Sequence, residues 1–364
     1  MKIAVFTELY APSIGGQEAF FRGLGEALQA RGHTVDIYCI GHERGLAPTE
    51  TIGGLAVHRY PIAATYKRPL FSAMRRDWPQ MCRFALRTRA VAKKGEHDFY
   101  LLNEWPLLHV LTLPRKARER ALLHWCEVRA SAFYSVMQSL LPRFVRLNGA
   151  ISDSVGRMIE AMSGCPVITL PSGLDLTRAV YRPRAERRDI VTLGRIVEHK
   201  NLPLLIEAFE ILCDRGYEGR LKIAGGGPDL PNLQARVAAS PRRDRIDLLG
   251  VVSDEEKFEL LSRCEVFAMP SRREGFPHVI SEAMCCGLPA VTADYPENGA
   301  KNVVLDFGAG VVTGQTAQAF ADGVAQARDD WERYSAKGLQ TARTLAWSSI
   351  AERLESEILQ TFAG

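Results

Sequence analysis

Residues 2–40 read KIAVFTELYAPSIGGQEAFFRGLGEALQARGHTVDIYCI. The opening run is apolar and strand-like, and APSIGGQ is a glycine turn. Phe20, Leu24, Ala27 and Leu28 then recur at helical spacing until Arg31-Gly32 closes the helix ahead of a β-branched run. That is a βαβ unit. The same alternation continues through DFYLLNE (98–104), ALLHWCE (121–127) and GAISDSV (149–155), which predicts an α/β fold with a mostly parallel sheet covered by helices.

At residues 171–189 the text changes to PSGLDLTRAVYRPRAERRD, rich in proline, arginine and turn formers, and reads as a linker. A second strand and helix series then starts at DIVTLGRI (189–196). With 364 residues, more than one core usually fills, the expectation is two domains facing a cleft, 1–180 and 181–345, followed by a final helix at 346–364. Ile350, Leu354, Ile358 and Leu359 share one face of that helix, so it must dock on something.

Composition narrows the class. Hydrophobic residues make up 46% and charged ones 24%, a globular balance, and no run of about 18 apolar residues occurs. The start MKIAVFTELYAP has one lysine and then a strand-like stretch, not the form of a signal peptide, so a cytoplasmic protein is expected. The eight cysteines show no C-x-x-C pair and no metal-ligand spacing, as for free thiols in a reducing compartment. Charge is uneven: residues 1–165 hold 22 Lys and Arg against 14 Asp and Glu, and the remainder hold 24 against 28.

The chemistry centres on SRREGFPHVISEAMCCGLPAVTAD (271–294). Glu274 lies in a glycine and proline turn, and Glu282 lies inside a helical run that begins near Pro277. The start of such a helix is a ready anion site, where free N–H groups and the positive dipole end point at the ligand. LGRIVEHKN places Arg195 at a strand end and Lys200 five residues later, so two cations can converge on one anion. IAGGGP supplies Gly225 and Gly227, a turn where backbone approaches a ligand closely; it lacks the third glycine of a dinucleotide fingerprint and suits a mononucleotide diphosphate better. On spacing alone, the two glutamates read better as surface carboxylates; the cations and glycine turns of the other segments change that. A glycosidase acid and nucleophile pair is a further reading, but the cations and glycine turns would have no purpose in simple hydrolysis.

With these pieces in order, the sequence resembles retaining glycosyltransferases of the GT-B fold, family 4. GGQEAFFRGLGEALQARGHTVDIY, LPSGLDL, LGRIVEHKN, LKIAGGGP and the E-x7-E block cover nearly the whole chain in the family's order. The resemblance implies two Rossmann-like domains facing a central cleft, with the C-terminal helix crossing back to the first. It implies that Gly15 and Gly16 lie beside the donor phosphates, that Gly194, Arg195 and Lys200 hold the diphosphate, and that Glu274 holds the transferred sugar. Glu282 would hold the ribose, and the backbone at Phe276, His278 and Val279 would complete the phosphate cradle. His124 follows the strand that carries the family's active-site histidine, although Trp125 and Cys126 depart from the usual neighbours; a satisfied core histidine is the other reading, and His109 and His199 are the alternates. Asn302 stands where the family commonly has a glutamate, which bears on donor preference.

No cofactor or metal is expected: the nucleotide-sugar is a substrate, and no Asp-x-Asp motif occurs. The expected partners are a UDP- or GDP-sugar and a glycan or lipid-linked acceptor, as in surface polysaccharide assembly. Residues 66–95 interleave arginines and lysines with Phe71, Met74, Trp78, Met81, Phe84 and Leu86, a composition that suits an anionic membrane surface and equally a solvated helix face over ordinary core. No nucleic-acid motif accompanies the charge. The alternatives are the same chemistry on a small soluble acceptor such as an aminocyclitol or inositol phosphate, and an epimerase or a non-catalytic sugar-binding protein.

Overall fold

Strand β1 (Lys2–Phe6) has Ile3, Ala4, Val5 and Phe6 fully buried, as a strand covered on both faces must. The computed structural model describes residues 1–13, 15–63, 66, 77–129 and 131–362. The chain divides into two units, Met1–Gly173 with Trp347–Gly364, and Leu174–Ala346.

In unit 1, β1 is followed by β2 (Thr34–Gly41), β3 (Thr49–Ile52), β4 (Leu55–Ile62), β5 (Phe99–Asn103), β6 (Ala121–Trp125), β7 (Leu147–Ala150) and β8 (Ile168–Thr169). Their order in the sheet is β3-β4-β2-β1-β5-β6-β7-β8, parallel except for the β3–β4 hairpin. That hairpin turns on Gly53 and Gly54, at φ of +58° and +83°, the two positive angles a tight two-residue hairpin turn demands. The sheet order reverses between β1 and β5, so the carboxyl ends of these strands form a topological switch point, where doubly wound sheets take ligands.

The helix Gly16–Ala30 buries Phe20, Phe21, Leu24 and Leu28. The terminal helix Trp347–Phe362 belongs to unit 1, and two glycines seat its first residue. A Cβ at Gly23 would stand 2.1 Å from the Trp347 ring, and one at Gly173 would stand 2.3 Å from it. Further along, Arg31 Nη2 meets Glu355 Oε2 at 2.5 Å.

Unit 2 holds β9 (Ile190–Leu193), β10 (Leu221–Ala224), β11 (Ile246–Gly250), β12 (Val266–Met269), β13 (Arg273–Glu274), β14 (Ala290–Ala293), β15 (Glu297–Asn298) and β16 (Gly310–Thr313). Six of them form a parallel sheet in the order β11-β10-β9-β12-β14-β16, and β13 pairs with β15 alone. The order reverses between β9 and β12. Most of the turn-rich stretch at 171–189 is part of this unit, for a physical reason: Arg187, 4% exposed, donates to the carbonyls of Leu261 and Cys264 and lies 5.3 Å from the centre of the Trp331 ring. Leu174 N–H donates to Leu345 O at 2.7 Å, so the crossing falls between Gly173 and Leu174.

Candidate active site

Loops after β9, β10 and β12 open at the carboxyl ends of neighbouring parallel strands in unit 2. Two of them are brought into backbone contact by glycine. Gly194 and Gly225 sit at φ of +143° and +144°, and a Cβ on Gly225 would lie 1.8 Å from Gly194 O. A Cβ on Gly227 would lie 2.1 Å from Ile196 O, while Ile196 N–H donates to Gly226 O at 2.9 Å. Only glycine fits where two main chains touch in this way.

Gly194, Arg195, Lys200, Ala224, Met269 and Ser271 line a hollow at these strand ends. Lys200 Nζ lies 2.6 Å from Glu274 Oε1, with both side chains mostly buried. Arg195 is exposed and has no carboxylate within 4.0 Å among the described residues. Ser271 is fully buried, and its hydroxyl has no hydrogen-bond partner among the described residues. Nothing in the sequence pattern singled it out.

The helix His278–Cys285 starts after Pro277, and no side chain caps it. Its first N–H groups, at His278 and Val279, therefore have no acceptor within the helix. The Phe276 ring packs edge-on to His278 at 5.7 Å, and burial holds the His278 imidazole below its ordinary value. Glu282 Oε1 is met at 2.7 Å by Lys257 Nζ, which also pairs with Asp254 at 3.1 Å. Lys257 comes from the helix Asp254–Arg263, 25 residues upstream, and no local motif announces it. Each glutamate of the E-x7-E block thus has its own lysine. The loop that carries Glu274 is tied down by Gly299, whose N–H donates to Glu274 O at 2.9 Å.

Gly15, Gly16 and His124 belong to unit 1. Gly15 is the extended residue ahead of the helix Gly16–Ala30, and a Cβ there would stand 2.4 Å from Glu18 Oε2; Glu18 also accepts from Ser13 Oγ at 2.8 Å. His124 is 1% exposed and stacks on Phe20 at 4.0 Å. Its Nε2 donates to Leu170 O at 2.9 Å, which leaves Nδ1 to accept the Cys126 thiol at 3.5 Å. Burial lowers the ring's pKa to about 4, so it stays neutral. This is a satisfied core histidine, with no nitrogen turned to solvent. Of the alternates, His109 is fully buried, bonded to Pro106 O and lowered to about 4, and His199 is half-buried, lowered by burial and then by Arg273.

Sequence reasoning passed over Glu104. It follows β5 at the switch point, is 6% exposed and accepts from Cys126 N–H at 2.9 Å. No cation lies within 4.0 Å among the described residues, and burial pushes its carboxyl up to about 8. Beside it, Asn103 is fully buried, donates to Gln17 Oε1 at 2.7 Å, and leaves its own Oδ1 without a partner among the described residues.

Residues 15–194 match the glycosyl transferase 4-like domain, and residues 175–341 match glycosyl transferases group 1. A phosphatidylinositol N-acetylglucosaminyltransferase component from Arabidopsis thaliana is 23% identical over 299 residues, covering 80% of this chain and 67% of that protein. The GDP-mannose-dependent alpha-(1-6)-phosphatidylinositol dimannoside mannosyltransferase of Mycobacterium tuberculosis is 25% identical over 323 residues, covering 80% and 79%. Among solved structures, sucrose-phosphate synthase from Thermosynechococcus elongatus superposes with a TM-score of 0.76 at 19% identity, covering 100% of this chain and 99% of that one. HepE from Anabaena, solved in complex with UDP, gives 0.74 at 16% identity, covering 99% and 100%. Two overlapping family matches and the shared fold place the chain among the glycosyltransferases of the GT-B fold, family 4.

Proposed function

We propose that the protein transfers a hexose from a UDP- or GDP-sugar to a glycan or lipid-linked acceptor, with retention at the anomeric carbon and without a metal ion. The observation that carries this reading is the Lys200–Glu274 pair, set at the carboxyl ends of parallel strands beside glycine-only backbone contacts. In this scheme Arg195, Lys200 and the N–H groups of His278 and Val279 offset the charge that grows on the departing diphosphate. Glu274 orients hydroxyls of the sugar, and Glu282, positioned by Lys257, takes the ribose. The acceptor oxygen bonds to the anomeric carbon as the carbon–oxygen bond to the diphosphate breaks, and the acceptor's proton passes to a phosphate oxygen on the same face. Unit 1 takes the acceptor. His124 holds Leu170 and takes no part in proton transfer.

A lipid-linked acceptor is favoured by the helix Trp78–Lys94. It carries Arg83, Arg87, Arg89, Lys93 and Lys94, all exposed, and no acidic residue, while Leu86 and Trp78 are 63% and 36% exposed. Residues 67–76 of the same basic stretch lie outside the described residues. Among the described residues, no helix is long and apolar enough to cross a membrane.

Incubation with UDP- and GDP-sugars, following nucleoside diphosphate release with and without acceptor, tests the proposal. Release that depends on acceptor supports it, and the absence of release with every donor defeats it.

A further inference from the structure

At the amino edge of the unit 1 sheet, opposite the edge where Gly15, Gly16 and Glu104 lie, two short segments meet ahead of β6 and β7. One is the turn of helix Arg115–Arg118, and the other is the 3-10 turn Leu141–Phe144 with the two residues after it. Arg146 N–H donates to Arg118 O at 3.2 Å and locks the two together. Arg115, Arg118, Arg143 and Arg146 line a hollow of about 390 Å³ together with Phe144. That volume falls in the range of small-molecule pockets, ~300–1,000 Å³.

The charge in this hollow is unbalanced. Among the described residues, Glu119 is its sole lining carboxylate, and it pairs with Arg115 at 2.8 Å. Among the described residues, Arg118, Arg143 and Arg146 have no carboxylate within 4.0 Å, and Lys116 and Arg120 add to the same segment. Two of these guanidinium groups are nonetheless held in place by neutral partners. Arg118 lies 5.2 Å from the centre of the Phe144 ring, and its Nε is buried with no acceptor among the described residues. Arg143 Nε donates to Ser163 O at 3.1 Å. Like charges gathered on a short stretch repel one another, and an oxyanion that accepts several guanidinium N–H groups at once offsets that repulsion; rotamer freedom already lost on anchoring is not lost again on binding.

We propose that the hollow between Arg118, Arg143 and Arg146 is a binding site for a phosphoryl group. The free N–H groups of these forks match phosphate oxygens bidentately, and the hollow is wide enough to take a phosphate that is part of a larger molecule. The phosphate of a soluble metabolite and that of a lipid headgroup present the same chemistry.

The full chain is titrated with inorganic pyrophosphate while UDP and GDP are both saturating, so that diphosphate seats for nucleotide are filled, and amide hydrogen exchange is read across residues 114–120 and 141–147. Protection is expected there, and R143E/R146E is expected to weaken pyrophosphate binding about tenfold or more, the loss of one charge-assisted contact or more. R146Q, which removes one exposed charge and leaves the main-chain bond, is expected to show a smaller loss with unchanged melting temperature and unchanged UDP and GDP affinity. Parallel experiments with phosphatidylcholine vesicles, with and without phosphatidylglycerol, separate the sources. Protection of 141–147 by anionic vesicles, competed by pyrophosphate, identifies a headgroup; protection by pyrophosphate alone identifies a soluble phosphate. If neither probe protects these segments, or if R143E/R146E binds both as tightly as the unmodified chain, the proposal is overturned.

Discussion

Lys200 Nζ and Glu274 Oε1, 74 residues apart in sequence, stand 2.6 Å apart, which joins the loop after β9 to the loop after β12. The pair is mostly buried, so each charge depends on the other: a lone carboxylate or ammonium in that setting carries a desolvation cost that its partner offsets. The proposed chemistry uses the same two groups, one against phosphate and one against sugar.

Replacing the lysine therefore has two effects. Lys200→Ala is expected to lower turnover roughly 100- to 1,000-fold under donor saturation, the usual loss for one electrostatic donor at a reacting centre. It is also expected to reduce stability, because Glu274 loses its counter-charge. Glu274→Gln on top of it should restore stability and leave turnover low. A double variant as active as the unmodified chain would remove Lys200 and Glu274 from the mechanism.

Gly225→Ala tests the glycine contact. The new methyl would meet Gly194 O at 1.8 Å in a backbone conformation that side chains disfavour, so the two loops must separate. Loss of nucleoside diphosphate binding is expected, measured as loss of the ligand-induced rise in melting temperature. Gly216→Ala is the control. Its φ of +89° is equally left-handed, but no atom lies within 4 Å of the added carbon, so about 1 kcal/mol of stability is lost and nucleotide binding is kept.

Much of this architecture is legible in the sequence. Period-3.6 and period-2 patterns around glycine turns mark the first βαβ unit, and the strand ends carry Gly194, Gly225 and the E-x7-E block. Other features have no local mark. Lys257 reaches Glu282 only because two helices pack, and Ser271 becomes a buried hydroxyl with no partner among the described residues only once β12 is covered. His124 occupies the motif position, yet its surroundings come from Phe20 and Leu170, far away in the chain, and these decide that it is core. The β3–β4 hairpin did have a signal, in Gly53-Gly54 between TETI and LAVHRY, which the helix-and-strand alternation obscured.

Glu104 gives a pH prediction. Its carboxyl is raised from an ordinary 4.5 to about 8 in the folded chain, mainly by burial. The unfolded chain therefore releases this proton first, and stability falls as pH rises from about 4.5 to about 8, by at most ~1.4 kcal/mol per pH unit from this group. Glu104→Gln keeps an acceptor for Cys126 N–H and has no proton to lose. The variant should melt higher than the unmodified chain at pH 7.5, with the gap closing toward pH 4.5. Equal melting temperatures across that range would show that Glu104 is ionised in the fold.

Trp347→Ala is expected to cost about 3–5 kcal/mol, the loss for a large aromatic in a tight seat. Hydrogen exchange should rise first in the helix Trp347–Phe362 and in its partner Gly16–Ala30, while amides of the unit 2 sheet keep their protection. A uniform rise over both units would contradict this.

The seat of that tryptophan also bears on how the gene can be cut. Gly173 and Trp347 touch, so the polypeptide leaves and re-enters unit 1 at a single spot, and residues 174–346 form an insert with adjacent ends. Splicing Gly173 to Trp347 through a few flexible residues is expected to give a free-standing unit 1. Simple truncation after residue 173 would discard the helix that closes it.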